Sequence, residues 1–246
     1  MSELADQALW RISAFDNLRQ SATAASRAAM QRTTVLATTL QAELRLLDRR
    51  RDNADALEVV AACVRLREPA LIYLQCEESV WPVTIFPAQA LYHSPRSLLL
   101  GGPRALATLT TLEVEPPGVR PPGHWMYERV AQVESYHPLL PALWRLALQG
   151  PRKTLLREVD GPAAYRALRN PAAHEMPTPG ALGPACERLR RESASLRKIA
   201  GWPGMSEERA SRLVNGLYLT SNLIASRAHP SARPGVMQWL FGRSSH

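Results

Sequence analysis

The residues able to do chemistry in this chain are few, and their spacing suits none of the common reactions. There are six histidines, His93, His124, His137, His174, His229 and His246, and three cysteines, Cys63, Cys76 and Cys186. A zinc site needs Cys or His ligands a few residues apart, and no such pair occurs. Neither His-Glu-x-x-His nor Cys-x-x-Cys is present, so no metal and no other cofactor is expected. Cys76 is followed by Glu77 and Glu78, whose charge raises a thiol's pKa and makes it a poor nucleophile. The chain has no Gly-x-Ser-x-Gly elbow, phosphate-cradling glycine loop or dinucleotide fingerprint. Carboxylates pair only as sequence neighbours. These absences predict a protein that binds and is not an enzyme.

The charged side chains are more informative. Lys and Arg number 30 against 22 Asp and Glu, for a net charge of +8, and only two of the thirty are lysine. Residues 1–66 carry nine basic and eight acidic groups, residues 67–186 eleven and ten, and residues 187–246 ten and four. The last quarter therefore has a local excess that attracts polyanions.

That quarter also contains a recognisable pair of elements. Ser195-Leu196-Arg197-Lys198-Ile199-Ala200 reads as a short helix ended by Gly201 and Pro203. Gly204 follows, where a positive φ is cheapest, and Met205 plugs the gap between the helices. Ser206 suits an N-cap, with Glu207 and Glu208 on the positive end of the helix dipole. Ala210, Leu213, Val214 and Leu217 continue a buried stripe, and Leu223-Ile224-Ala225-Ser226-Arg227 is extended. This order resembles the winged helix-turn-helix family over residues 195–230, on Ile199, Ala200, Gly204, Met205, Ala210 and Leu213. It departs at Pro203, where an apolar residue is more usual.

The resemblance implies a DNA reader whose second helix enters the major groove. Ser211 and Arg212 would then face bases, while Arg197, Lys198, Arg209 and Arg227 meet phosphates. Glu207 and Glu208 oppose that reading, because adjacent acids near phosphates cost affinity. An acidic leading edge fits a protein-docking adaptor instead. The expected function is a bacterial regulatory protein that binds DNA, the alternative an adaptor or assembly component. The partner is accordingly DNA or protein.

The rest of the chain must position this pair. The expected fold class is α+β and mainly helical, with a small central sheet and a C-terminal winged-helix-like region. Residues 1–66 read as a helical region, on Leu4, Ala8, Ile12, Phe15 and Leu18, then Leu36, Leu40, Leu44 and Leu47. They pack as a hairpin on their own domain or offer a surface for a homodimer. Residues 67–135 read as a small α/β unit. Leu71–Cys76 and Val80–Phe86 form a hairpin around Glu77-Glu78-Ser79, with Pro82 favouring an edge position. Ala88–Leu100 is expected to hold a short helix near Leu91 and Tyr92, and Ala105–Glu115 a third strand.

Residues 136–234 read as helical again. Pro141–Gln149 forms a short apolar helix, and Thr154–Leu168 a degenerate second helix-turn-helix echoing the first. Residues 235–246 are a tail whose Trp239-Leu240-Phe241 is costly to leave in water. No run approaches a membrane span, so no membrane insertion is expected. The N-terminus shows no signal peptide, and the three scattered cysteines suggest a reducing cytoplasm.

Overall fold

A computed structural model of the chain describes residues 9–21, 35–49 and 55–228. The chain divides into two compact units, Met1–Arg152 and Lys153–His246. The fold is mixed α and β, as expected; the chain divides after Arg152 and not at 66 or 135, and the expected boundary at 234 lies outside the described residues.

In the first unit, β1 (Trp10–Arg11), β2 (Ala70–Cys76), β3 (Ser79–Phe86), β4 (Leu91–His93), β5 (Thr110–Glu115) and β6 (Tyr136–Pro138) make one antiparallel sheet. Its order is β5-β2-β3-β4-β6, with β1 also on β3. The anticipated hairpin is present, turning at Glu77 with φ 54°. Pro82, however, is not on an edge strand. It pairs with Tyr73 in the middle of β3, between the ladder with β1, which ends at Val80, and the ladder with β4, which starts at Thr84. A missing N–H is tolerated in such a gap, where no neighbour needs it.

The expected helical start does not stand apart from this sheet. The helices α1 (Ile12–Ser21), α2 (Thr38–Arg49) and α3 (Ala56–Leu66) belong to the same unit. Trp10 and Phe15 lie against Tyr73 of β2, with ring centroids 6.1 and 5.0 Å away, and Arg19 bonds Glu113 of β5 at 3.1 Å. An amphipathic helix is stable only when its apolar stripe is covered, and here the sheet covers it. Leu4, Ala8 and the tail at 235–246 lie outside the described residues.

Asp55 caps α3 by accepting the N–H of Leu57 at 2.9 Å. Arg152 then bonds both Asp55, at 2.7 Å, and the buried Glu58, at 2.8 Å. The region near Leu91 and Tyr92 is strand β4 flanked by 3₁₀ turns, not a helix. Residues Ala105–Glu115 are split between α4 (Pro103–Ala107) and β5. The helix α5 (Leu139–Gln149) forms as expected.

The second unit contains β7 (Ala164–Ala167), α6 (Leu182–Arg191), β8 (Ala194–Ser195), α7 (Leu196–Ala200), α8 (Glu207–Leu219) and β9 (Leu223–Ser226). Its sheet has the order β8-β7-β9, all antiparallel. The expected helix pair over Thr154–Leu168 is absent. Turns occupy its first part, and Ala164–Ala167 is the central strand β7. Buried Ala164, Tyr165 and Ala167 fit a strand roofed by helices. The helix-like spacing of small residues there was a consequence of the alanine-rich composition.

Candidate binding site: the α7–α8 pair and the β7–β9 ladder

The turn between α7 and α8 is built largely as its sequence dictates. Ser195 caps α7, and its helix ends at Ala200. The N–H groups of Trp202 and Met205 donate to Ile199 O at 3.1 Å and Trp202 O at 3.0 Å, carrying the chain around. Gly204 has φ +73°, and a Cβ there would lie 2.9 Å from the Cβ of Ala181. Both conformation and space require glycine at that point. The Ser206 hydroxyl accepts the Arg209 N–H at 3.2 Å, and the Arg209 guanidinium bonds Gly204 O at 2.5 Å. Ile199, Ala210, Leu213, Val214 and Leu217 are all fully buried, while Ala200 and Met205 are only half-buried. The Arg188 guanidinium lies over the ring of buried Trp202 at 4.7 Å.

The other side of α8 differs from expectation. A base-reading helix needs an exposed face, and Glu208, Ser211, Arg212 and Asn215 share one by their spacing. Ser211 is only 2% exposed and Asn215 is fully buried. The Asn215 side-chain oxygen accepts the Leu156 N–H at 2.8 Å, and its amide nitrogen donates to Thr154 O at 2.9 Å. Arg212 has 12% of its side chain exposed and bonds Glu208 at 3.0 Å, while the Lys153 ammonium lies 4.0 Å from the same carboxylate. Burial of Ser211 and the partial cover of Arg212 oppose the expected placement of the two against bases. The chain's own Lys153–Leu156 segment runs along that face, anchored by buried Leu155 and Leu156.

The remaining predicted site residues are exposed. Arg197 has no side-chain partner among the described residues. Lys198 bonds Glu192 at 2.9 Å, and Arg188 bonds the same carboxylate at 2.5 Å. Those two hydrogen bonds hold the Glu192 carboxyl below its ordinary pKa. Arg209 folds back on the turn as described, and Arg227 donates to Asp160 O at 3.3 Å. The unit has fourteen basic and seven acidic residues, so +7 of the chain's +8 lies within it.

The strand after α8 is present, but no second strand follows it among the described residues. Its partner is β7, which precedes the helices and is the central strand of the three-stranded sheet. Asn222 fastens one end, accepting the Arg169 N–H at 2.6 Å and donating to Arg169 O at 2.9 Å. Leu168 N–H donates to Asn222 O at 3.0 Å. At the other end Tyr165 donates its hydroxyl proton to Val159 O at 2.6 Å. Burial, and then the nearby Asp160 charge, pushes that phenol up to about 12.

On this ladder the sequence reading missed Arg166 and Leu168. Arg166 sits opposite Ile224 and bonds Arg190 O at 3.4 Å. Asn215 was missed too, although an amide inside an apolar helical stripe is a signal in itself.

The cysteines are free and buried, and burial pushes Cys63 and Cys186 up to about 12 and Cys76 above its ordinary value. Among the described residues no three His, Cys, Asp or Glu gather as a metal site, and no helix is long and apolar enough to cross a membrane. No family model, curated protein or solved structure matches the chain.

Proposed function

We propose that the C-terminal unit is a non-enzymatic interaction module that docks a protein partner, built on a winged-helix-like frame whose second helix does not read DNA. The observation that carries this is the closed face of α8. Reading bases through Ser211, Arg212 and Asn215 would require breaking the buried hydrogen bond of Asn215 to Leu156, breaking its bond to exposed Thr154, and removing two buried leucines from the core. Unsatisfied buried amides cost about 1–3 kcal/mol each, and stripping a leucine from a core costs about 2–5 kcal/mol. A single bidentate base contact returns only about 1–3 kcal/mol. The chain is then an adaptor or an assembly component.

The net charge of the unit favours a second, weaker reading. Exposed Arg197 and Arg209 can touch phosphates without reading sequence, which gives salt-sensitive and nonspecific DNA association. Selection of the full chain on random duplex DNA separates the readings. Docking predicts that no sequence motif is enriched. An enriched motif that disappears in Arg212→Ala would overturn it.

A further inference from the structure

On the docking reading, we infer that the partner is an extended acidic peptide that adds as a strand to the edge of β9 that no described strand pairs. The phase of the β7–β9 ladder sets which groups are available. Leu168 N–H bonds Asn222 O, and antiparallel pairs alternate, so Arg166–Ile224 and Ala164–Ser226 are the hydrogen-bonded pairs. Ile224 and Ser226 therefore turn their backbone groups towards β7. Leu223 and Ala225 turn theirs away from it, to an edge on which no described strand pairs. Such an edge is a template for another strand.

The side chains beside this edge specify what kind of strand. Directly opposed residues share one face of a ladder, so Arg166 and Ile224 lie side by side, with Leu168 two residues along. Leu168 and Ile224, 52% and 46% exposed, are the large hydrophobic side chains exposed in this unit among the described residues. The others described there are buried or half-buried. An apolar strip flanked by exposed Arg166 and Arg169, on a unit of net charge +7, is complementary to a segment alternating acidic and β-branched residues. Main-chain hydrogen bonds would supply affinity, and the Ile224–Leu168 strip with its arginines the selectivity.

The test is display selection of short random peptides on the full chain, followed by affinity measurement on variants. Ala225→Pro removes an N–H that faces away from β7, so it blocks strand addition while the ladder keeps its own bonds. Arg166→Glu reverses the charge beside Ile224. The expected result is enrichment of peptides carrying Glu or Asp beside Val or Ile, with at least a tenfold loss of affinity in either variant. Because Ala225→Pro could perturb the strand, peptides N-methylated at alternate residues supply an independent arm and should lose binding to the unaltered chain. Selection of peptides without acidic enrichment, retention of affinity in Ala225→Pro, retention after N-methylation or a failure to select any peptide overturns the inference. In those cases the duplex-DNA selection decides the broader reading: without an enriched motif, docking at another surface stands and only the β9 edge falls.

Discussion

Replacing Asn215 with Ala should loosen the segment that closes the second helix, and the size of the effect follows from two hydrogen bonds. The amide satisfies one backbone donor, Leu156 N–H, and one backbone acceptor, Thr154 O, at a fully buried position. Alanine fills neither role and leaves a cavity where the amide was. Orphaning the buried Leu156 N–H costs about 1–3 kcal/mol and the cavity left by the amide adds to it, so the variant should lose about 2–4 kcal/mol from this unit, after partial relaxation. At 1.36 kcal/mol per tenfold, that is about a 30-fold or greater loss of protection at Leu156 N–H. Native-state hydrogen exchange reads this directly, because the amide is reported individually. Asn215→Asp should fare no better, since a carboxylate can accept from Leu156 but cannot donate to Thr154 O. Unchanged protection at Leu156 in Asn215→Ala, with an unchanged unfolding midpoint, would refute the claim that Asn215 pins the closing segment.

Four further outcomes follow from the same geometry. Gly204→Ala must hold φ near +73° and push its Cβ against Ala181, so chemical denaturation should show a loss of about 1–2 kcal/mol or more. Ser206→Ala deletes the cap on Arg209 N–H and should cost about 1 kcal/mol in the same assay. Arg152→Met leaves buried Glu58 without its guanidinium, a loss of about 3–5 kcal/mol at neutral pH; adding Glu58→Gln should recover part of it, measured by the melting temperature. His93 has its pKa lowered, first by burial and then by nearby His137, so the unfolded chain binds its proton more readily. Stability of the first unit should therefore fall as pH drops below the ordinary histidine value of about 6.5, and His93→Gln should flatten that slope in unfolding curves taken across pH.

Local chemistry made the helix pair legible. Gly204, Ser206 and the stripe from Ala210 to Leu217 each encode a local need, namely a positive φ, a cap and a buried face, and each appears where the spacing put it. The β2–β3 hairpin was legible for the same reason. What could not be read was which element covers which. Strand β7 reads as helix in the sequence because Ala-Tyr-Arg-Ala fits either period over so short a run, and only pairing with β8 and β9 decides between them. Strand β4 was missed likewise, being three residues long. The exposure of Ser211 and Arg212 depended on Leu155 and Leu156, more than fifty residues earlier in sequence, lying over α8. A helix-turn-helix pattern specifies how two helices cross; it does not specify whether the outer face is free.

The most direct measurement is a map of backbone amide shifts as mixed-sequence duplex DNA is added to the full chain at low salt. The closed face of α8 predicts that any shifts centre on Arg197, Lys198 and Arg209 and vanish as salt is raised. The amides of Ser211, Arg212, Asn215 and Leu156 should not move. Shifts at those four residues, with Leu156 losing its hydrogen-exchange protection when DNA binds, would mean that the segment lifts and the helix reads DNA after all.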